Sequence, residues 1–350
     1  MSFYRGKKVL LAGGAGFIGT HVLDRLIDLG AHVTVADNLS SGSRDAVLEV
    51  WRKHGFEYQG STHRQTIEAD HQRFQWCDLE DISQARRAMA GQEVVIHVAA
   101  VIGGRGFVDT RPADCCGSFG INHSTFKAAW EAGVDRVHYA STACVYPESL
   151  QNSYDSDYLL QEDDAFRDGI ASCDRAYGWA KFMGELELEA YHDQYGLKGS
   201  ICRYVTAYGD RENDTHAIIA LIKRAVERRD PYVVWGSGEQ DRDFTFVDDI
   251  VEGTLLATEN ITDCTPINLG TARRYKIKDV VKTILRLVGH EPRQLVFDPT
   301  KPVGVLSRAL DNRRAKQLLD WEPRYDLHEG LRRTIEWYVA ARPRSVETLV

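Results

Sequence analysis

The chain runs to 350 residues, with 43 Lys and Arg against 51 Asp and Glu and a formal charge of −8. That length can bury the core of one large or two closely joined domains, and the acidic balance supplies no basic footprint for nucleic acid or an anionic membrane. No apolar run approaches the length needed to cross a bilayer, and the N-terminus enters a strand almost at once without a signal segment, so a cytoplasmic location is expected.

Lys8-Val-Leu-Leu-Ala12 reads as a buried parallel strand, followed by Gly13-Gly14-Ala15-Gly16-Phe17-Ile18-Gly19 and an amphipathic stretch from His21 to Leu29. Glycines at such a turn let the backbone bend tightly, approach a pyrophosphate and pack the helix on the strand, with the phosphate at the helix N-terminus. A second strand, His32-Val-Thr-Val-Ala36, ends at Asp37-Asn38. An acidic residue there accepts hydrogen bonds from a ribose 2′-hydroxyl and repels a 2′-phosphate, which selects NAD over NADP.

The segment from Leu48 to Arg73 is polar and poorly periodic and reads as a surface insertion. A short strand at Phe74–Cys77 leads to Asp78-Leu79, for which two readings stand: an adenine contact or a helix N-cap. Further apolar strands follow at Val94–Ala99, Arg136–Ala140 and Ser200–Val205, with helical stretches between them. After Ala207 the pattern breaks into shorter units. The whole predicts an α/β Rossmann-type doubly wound parallel sheet over residues 1–206 and a smaller α/β substrate domain over 207–350, with segments near 243–270 packing back on the first.

Tyr177 and Lys181 lie four residues apart, hence on one helix face, where an ammonium favours the ionised phenol and suits it to act as a base. Seven cysteines, at 77, 115, 116, 144, 173, 202 and 264, contain no C-x-x-C pair and are odd in number, which argues against a disulfide framework or a metal site. Arg224, Arg242 and Arg308 carry the guanidinium forks that match phosphate oxygens, and Trp235 offers a flat surface for a base or ribose. The plainer alternatives are solvated surface charges and a core aromatic.

The glycine turn, Asp37-Asn38-Leu39, His97-Val-Ala-Ala100, Ser141-Thr142-Ala143, Tyr177-x-x-x-Lys181 and Arg242-Asp-Phe-Thr-Phe-Val-Asp248 together resemble an extended short-chain dehydrogenase/reductase over almost the whole chain. Val101-Ile-Gly-Gly-Arg-Gly-Phe107 and Tyr139-Ala-Ser-Thr-Ala-Cys-Val-Tyr-Pro-Glu148 are most similar to its GDP-mannose 3,5-epimerase branch, and the stretch Thr215–Arg224 to its GDP-fucose synthase branch. The resemblance implies bound NAD, a GDP-sugar substrate and a homodimer through helices near 115–132 and 177–195. It also implies a cofactor site that includes Gly13, Gly16, Phe17, Ile18, Gly19, Asp37, Asn38, Asp78, Leu79, Ala99, Tyr177 and Lys181.

The implied chemistry is oxidation at C4, epimerisation at C3 and/or C5, and re-reduction. Thr142, Tyr177 and Lys181 serve the redox step, while Cys144 and His216 supply the base and acid. Cys144 also reads as core filler, and His216, after Asp214 and Thr215, as part of a helix cap. Three departures mark the sugar pocket. His216 stands where the 3,5-epimerases carry lysine, Thr206 where many members carry Asn, and Arg105, beside Gly103 and Gly104, where those enzymes carry Met. Arg105 either reads an extra substrate oxygen or carboxylate or points to solvent. Ala143-Cys144 replaces the Asp-Glu pair of the 4,6-dehydratases. The alternatives are a 4-keto-6-deoxy-sugar epimerase/reductase, a 4-epimerase, or a non-catalytic NAD-binding sensor or scaffold.

Overall fold

Alternate side chains of the first strand, β1 (Lys8–Ala12), serve two different cores. Val9 and Leu11 pack into one apolar cluster, Leu10 and Ala12 into another. A strand covered by helices on both faces needs apolar residues at every position, which is why it reads as an unbroken run. The computed structural model describes residues 2–58, 65–167 and 175–341; Cys173 lies outside the described residues.

Along the chain follow β2 (His32–Asp37), β3 (Thr66–Ala69), β4 (Gln72–Trp76), β5 (Val94–His97), β6 (Arg136–Thr142), β7 (Lys198–Tyr204), β8 (Thr206–Tyr208), β9 (Tyr232–Trp235), β10 (Asp241–Arg242), β11 (Phe244–Phe246), β12 (Asp263–Leu269), β13 (Tyr275–Lys276), β14 (Leu295–Asp298) and β15 (Ser307–Arg308). The helices are α1 (Phe17–Asp28), α2 (Arg44–Lys53), α3 (Ile82–Met89), α4 (Arg105–Thr110), α5 (Pro112–Cys115), α6 (Gly117–Glu131), α7 (Arg175–Tyr195), α8 (Ala217–Val226), α9 (Val247–Asn260), α10 (Ile277–Val288), α11 (Arg313–Leu319) and α12 (Leu327–Ala341).

Eight strands form the main sheet in the order β12-β7-β6-β5-β1-β2-β4-β3, parallel throughout except for the edge pair β3 and β4. The chain order reverses between β1 and β5, and the carboxyl ends of the strands at such a reversal are where doubly wound sheets bind ligands. Helices α1, α2 and α9 cover one face and α3, α6 and α7 the other. Near 243–270 the chain returns to the main sheet, where β12 pairs with β7. Beyond the sheet, β10 lies between β13 and β15, β9 pairs with β14, and α8, α10 and α12 pack together. The molecule is therefore a Rossmann-type doubly wound sheet with a smaller α/β portion.

The expected surface insertion at 48–73 is corrected. Its first residues belong to α2, whose Val47, Leu48, Val50 and Trp51 are buried against α1 and the sheet. Thr66–Ala69 is an antiparallel edge strand. The charged residues on the outer side of α2 hid this apolar stripe. A wholly buried side chain the size of Trp51 is worth on the order of 3–5 kcal/mol to the fold.

Candidate active site

The first strand ends in a turn where two of the glycines leave no room for a side chain. Gly13 has φ +80°, and a Cβ on it would lie 2.6 Å from the Ala99 backbone after β5; one on Gly19 would lie 2.2 Å from the Gly13 carbonyl. Gly16 caps α1 with extended backbone and no side chain, and Thr20 N to Gly16 O, 3.0 Å, is the first intrahelical bond. The amides of Phe17, Ile18 and Gly19 precede that bond and face the helix N-terminus, where an anion is favoured.

At the end of β2, the Asp37 carboxylate accepts from Leu39 N at 2.7 Å and Ala15 N at 3.0 Å, so it also ties the glycine turn to the second strand. Burial pushes its pKa up and the two amides pull it down; the balance is a raised value. Asn38 turns its side-chain oxygen to Ser40 N at 3.0 Å. Asp78 closes a turn on Glu80 N at 3.1 Å, and the cap of α3 falls instead to Asp81, which accepts from Ser83 N and Gln84 N. That corrects the N-cap reading of Asp78. The Leu79 side chain is buried in the core beneath.

At the end of β6, Thr142 Oγ1 accepts from Cys144 N at 3.3 Å. Tyr177 on α7 packs with Val108, Cys115 and the half-buried Cys144. One turn on, Lys181 is 2% exposed, donates to Ala140 O at 2.7 Å and sits 4.9 Å from the centre of the Tyr139 ring. Burial brings its ammonium down to about 7, against the opposing charge of Glu185.

Two buried polar groups brace this constellation, and sequence reasoning missed both. Asn122 of α6 donates to Ala180 O at 3.1 Å and Tyr139 Oη at 3.0 Å, and its carbonyl meets His97 Nε2 at 3.0 Å. Glu185 takes Ser141 Oγ and two donors of the equally buried Arg203, at 2.9 and 2.5 Å. Removing one partner of such a pair costs on the order of 3–5 kcal/mol. Glu185 lies one turn beyond Lys181, a position readable as buried, but the run Glu185-Leu-Glu-Leu-Glu189 disguises it.

Cys144 is half-buried, and Arg308 Nη1 lies 3.1 Å from its Sγ while Arg308 Nε donates to Gln151 Oε1 at 2.5 Å. Arg242 is the direct β-partner of Arg308 and donates to the carbonyls of Asp241, Val303 and Val305 at 2.6–2.8 Å. Arg242 thus clasps the backbone of 303–305. Burial and the nearby Arg308 and Arg105 charges bring its guanidinium down to about 10, still charged at neutral pH. Arg105 does not point to solvent: it holds Asp109 through two bonds at 2.9 and 2.5 Å, and its Nη1 would lie 3.1 Å from a Cβ on Gly304.

Gly104, next in the chain, abuts the loop that carries His216; a Cβ there would lie 2.1 Å from Thr215 O and 3.8 Å from His216 Cδ2. Gly103 packs on Phe107 in the same way. His216 stands at the N-cap of α8, yet its ring caps nothing and turns Nδ1 to Glu212 Oε1 at 2.7 Å. Glu212 is a third residue that sequence reasoning did not find. Cys144, Arg308, Arg242, Arg105, Gly104 and His216 therefore form one continuous run of neighbours.

Other residues fall elsewhere. Arg224 lines an open cleft of about 450 Å³ with Asp214, Lys223, Arg229 and Val233, on the side of α8 and β9. Trp235 ends β9 and is 40% exposed. Thr206 begins β8, opposite Phe244 of β11. Arg242 and Arg308 converge with the catalytic candidates, whereas Arg224 belongs to this separate cleft.

A family model described as the NAD dependent epimerase/dehydratase family matches residues 9–270. This chain belongs to that family. GDP-mannose 3,5-epimerase 1 of Oryza sativa subsp. japonica is 29% identical over 336 residues, 94% of this chain and 81% of the relative. UDP-glucuronate 4-epimerase of Thermodesulfobacterium geofontis is 30% identical over 329 residues, 94% of this chain and 95% of the relative. Among solved structures, UDP-glucose 4-epimerase of Thermotoga maritima with UDP-glucose matches with a TM-score of 0.80 at 27% identity, covering 95% of this chain and 99% of its own. The cofactor of this epimerase/dehydratase family member is NAD, and the cradle under Gly13, the α1 N-terminus and Asp37 suit it. No helix among the described residues is long and apolar enough to cross a membrane.

Proposed function

We propose that this chain is a nucleotide-sugar epimerase of the 3,5 type, acting on a GDP-hexose. The observation that carries the reading is Cys144, two residues beyond Thr142, with the Arg308 guanidinium on its sulfur and the His216 loop packed against the same glycine-rich segment. A 4-epimerase needs no acid and base for carbon, whereas a 3,5-epimerase needs both.

Bound NAD supplies a hydride acceptor and donor for C4 of the sugar. Tyr177 takes the proton of the 4-hydroxyl, Thr142 holds the same oxygen, and Lys181, tethered to Ala140 O, favours the ionised phenol in its charged form. With a ketone at C4, the hydrogens on C3 and C5 become acidic because the carbanion is an enolate. Cys144 removes one as thiolate, a state that Arg308 favours, and His216 delivers a proton to the carbon. Arg308 supplies the cation for the diphosphate beside Cys144, Arg242 holds the 303–305 backbone behind it, and Trp235 serves the base or ribose. The homodimer belongs to the same proposal: α6 and α7 expose Phe119, Trp130, Met183 and Tyr195 on the helices expected to pair.

The test is conversion in deuterium oxide, followed by NMR, over a panel of GDP-, UDP- and dTDP-hexoses. Deuterium is expected at C3 and/or C5 and not at C4, with a GDP-sugar as the converted substrate. Cys144→Ser and His216→Asn are each expected to lose about 10²–10⁴-fold in epimerisation. Conversion without solvent deuterium at C3 or C5 gives the second reading, a 4-epimerase, which the 30% identity to UDP-glucuronate 4-epimerase supports.

A further inference from the structure

We propose that Glu212 is the positioning residue of His216: it fixes the imidazole through Nδ1, presents Nε2 to the sugar, and keeps the ring charged so that it serves as the acid of the epimerisation. This rests on the epimerase reading of His216.

The geometry is that of a buried carboxylate behind an imidazole. Glu212 is 2% exposed at its side chain and His216 30%, so the carboxylate lies inside and the ring reaches outward. Their 2.7 Å contact occupies Nδ1. The other ring nitrogen is left for a ligand, and Cδ2, beside Nε2, is the edge that meets the Gly104 segment. A carboxylate so placed selects one tautomer and one orientation and stabilises the imidazolium.

The segment that carries the pair is held at both ends. Arg211 adopts φ +63° and donates to Thr20 O at 3.2 Å and Asp24 at 3.3 Å, while His21 Nε2 meets Asp210 O at 2.9 Å. The loop is thereby anchored to α1, the helix whose N-terminus forms the phosphate cradle. At the other end, Ala220 N bonds to His216 O at 2.9 Å and starts α8. The segment around Glu212 is thus anchored by the side chains of Arg211 and His21, and the second carboxylate oxygen of Glu212 is buried.

Two charged residues near the loop are themselves paired. Asp214 is paired with Lys223 at 2.9 Å, and Arg105, from the α4 side, with Asp109. Burial alone opposes a charge on His216, but the hydrogen bond and charge of Glu212 outweigh it and raise the imidazole above its ordinary value. An acid must hold its proton at working pH, and this arrangement provides that.

The test is an NMR titration of protein carrying isotope-labelled histidine, with the His216 signals assigned from His216→Asn. In the wild type the midpoint should lie above the ordinary histidine value of about 6.5. In Glu212→Gln, which keeps the size of the side chain and removes its charge, it should fall by about one pH unit or more. The limb of the kcat profile that belongs to the acid should move with it. A wild-type midpoint at or below about 6.5 overturns the proposal, and so does an unchanged midpoint in Glu212→Gln; the first holds even where the variant does not fold. If no substrate takes up deuterium at C3 or C5, the catalytic use of His216 falls, while the midpoints still decide whether Glu212 holds the ring.

Discussion

Arg308 places Nη1 3.1 Å from the sulfur of Cys144, and its Nε is fixed by Gln151. A cation this close to a thiol favours the thiolate, and a thiolate is both the base and the reactive form of cysteine. The contact separates Cys144 from Cys77, Cys202 and Cys264, which are buried and whose thiols burial holds well above the ordinary range.

The first prediction concerns this contact. Arg308→Met should slow alkylation of Cys144 by iodoacetamide at pH 7 on the order of tenfold, the effect of about one pH unit on a thiol. Peptide mass spectrometry distinguishes Cys144 from the exposed Cys116, whose rate should not change. Equal rates in wild type and variant would show that Arg308 leaves the thiol untouched.

The second prediction concerns the cofactor. Asp37 accepts two amides at the end of β2. The wild type should bind NAD more tightly than NADP, and Asp37→Ala should weaken NAD by about 1–3 kcal/mol through the loss of charged hydrogen bonds, while narrowing the gap to NADP. The variant should also melt lower, because the amides of Ala15 and Leu39 lose their acceptor. Calorimetry with both dinucleotides measures the first effect, and a wild type that prefers NADP would refute the reading of Asp37.

What could be read in the chain is what is local. Gly19 and Asp37 act through the glycine turn itself or at a fixed offset from it, and Tyr177 and Lys181 share a helix face, so spacing alone assigns them. Glu212 could not be read that way. It sits in a turn among Asp210, Arg211, Asp214 and His216, where a buried carboxylate looks like one more surface charge. Arg242 shows the same limit: its chemistry suits a phosphate, yet its donors serve Val303 and Val305, which only the folded chain brings near. The sequence offers Asp78 as the cap, and the backbone path after β4 gives that place to Asp81.

The third prediction concerns pH and stability. Lys181 has a folded value of about 7, lowered by burial, against about 10.4 in the unfolded chain. Between these values the unfolded state binds the extra proton, so the stability of the fold must rise with pH across that window; below about 7 both states are charged and the burial penalty is complete. Lys181→Met keeps the length of the side chain and removes the titration. Urea unfolding at pH 7 and pH 9 should show the wild type gaining stability relative to Lys181→Met as pH rises. Both proteins should be measured without dinucleotide, since a ligand bound at the same lysine would add its own linkage. A constant difference between the two proteins across this range would mean that Lys181 keeps an ordinary ammonium, and that its place beside Tyr177 tunes the base by charge alone.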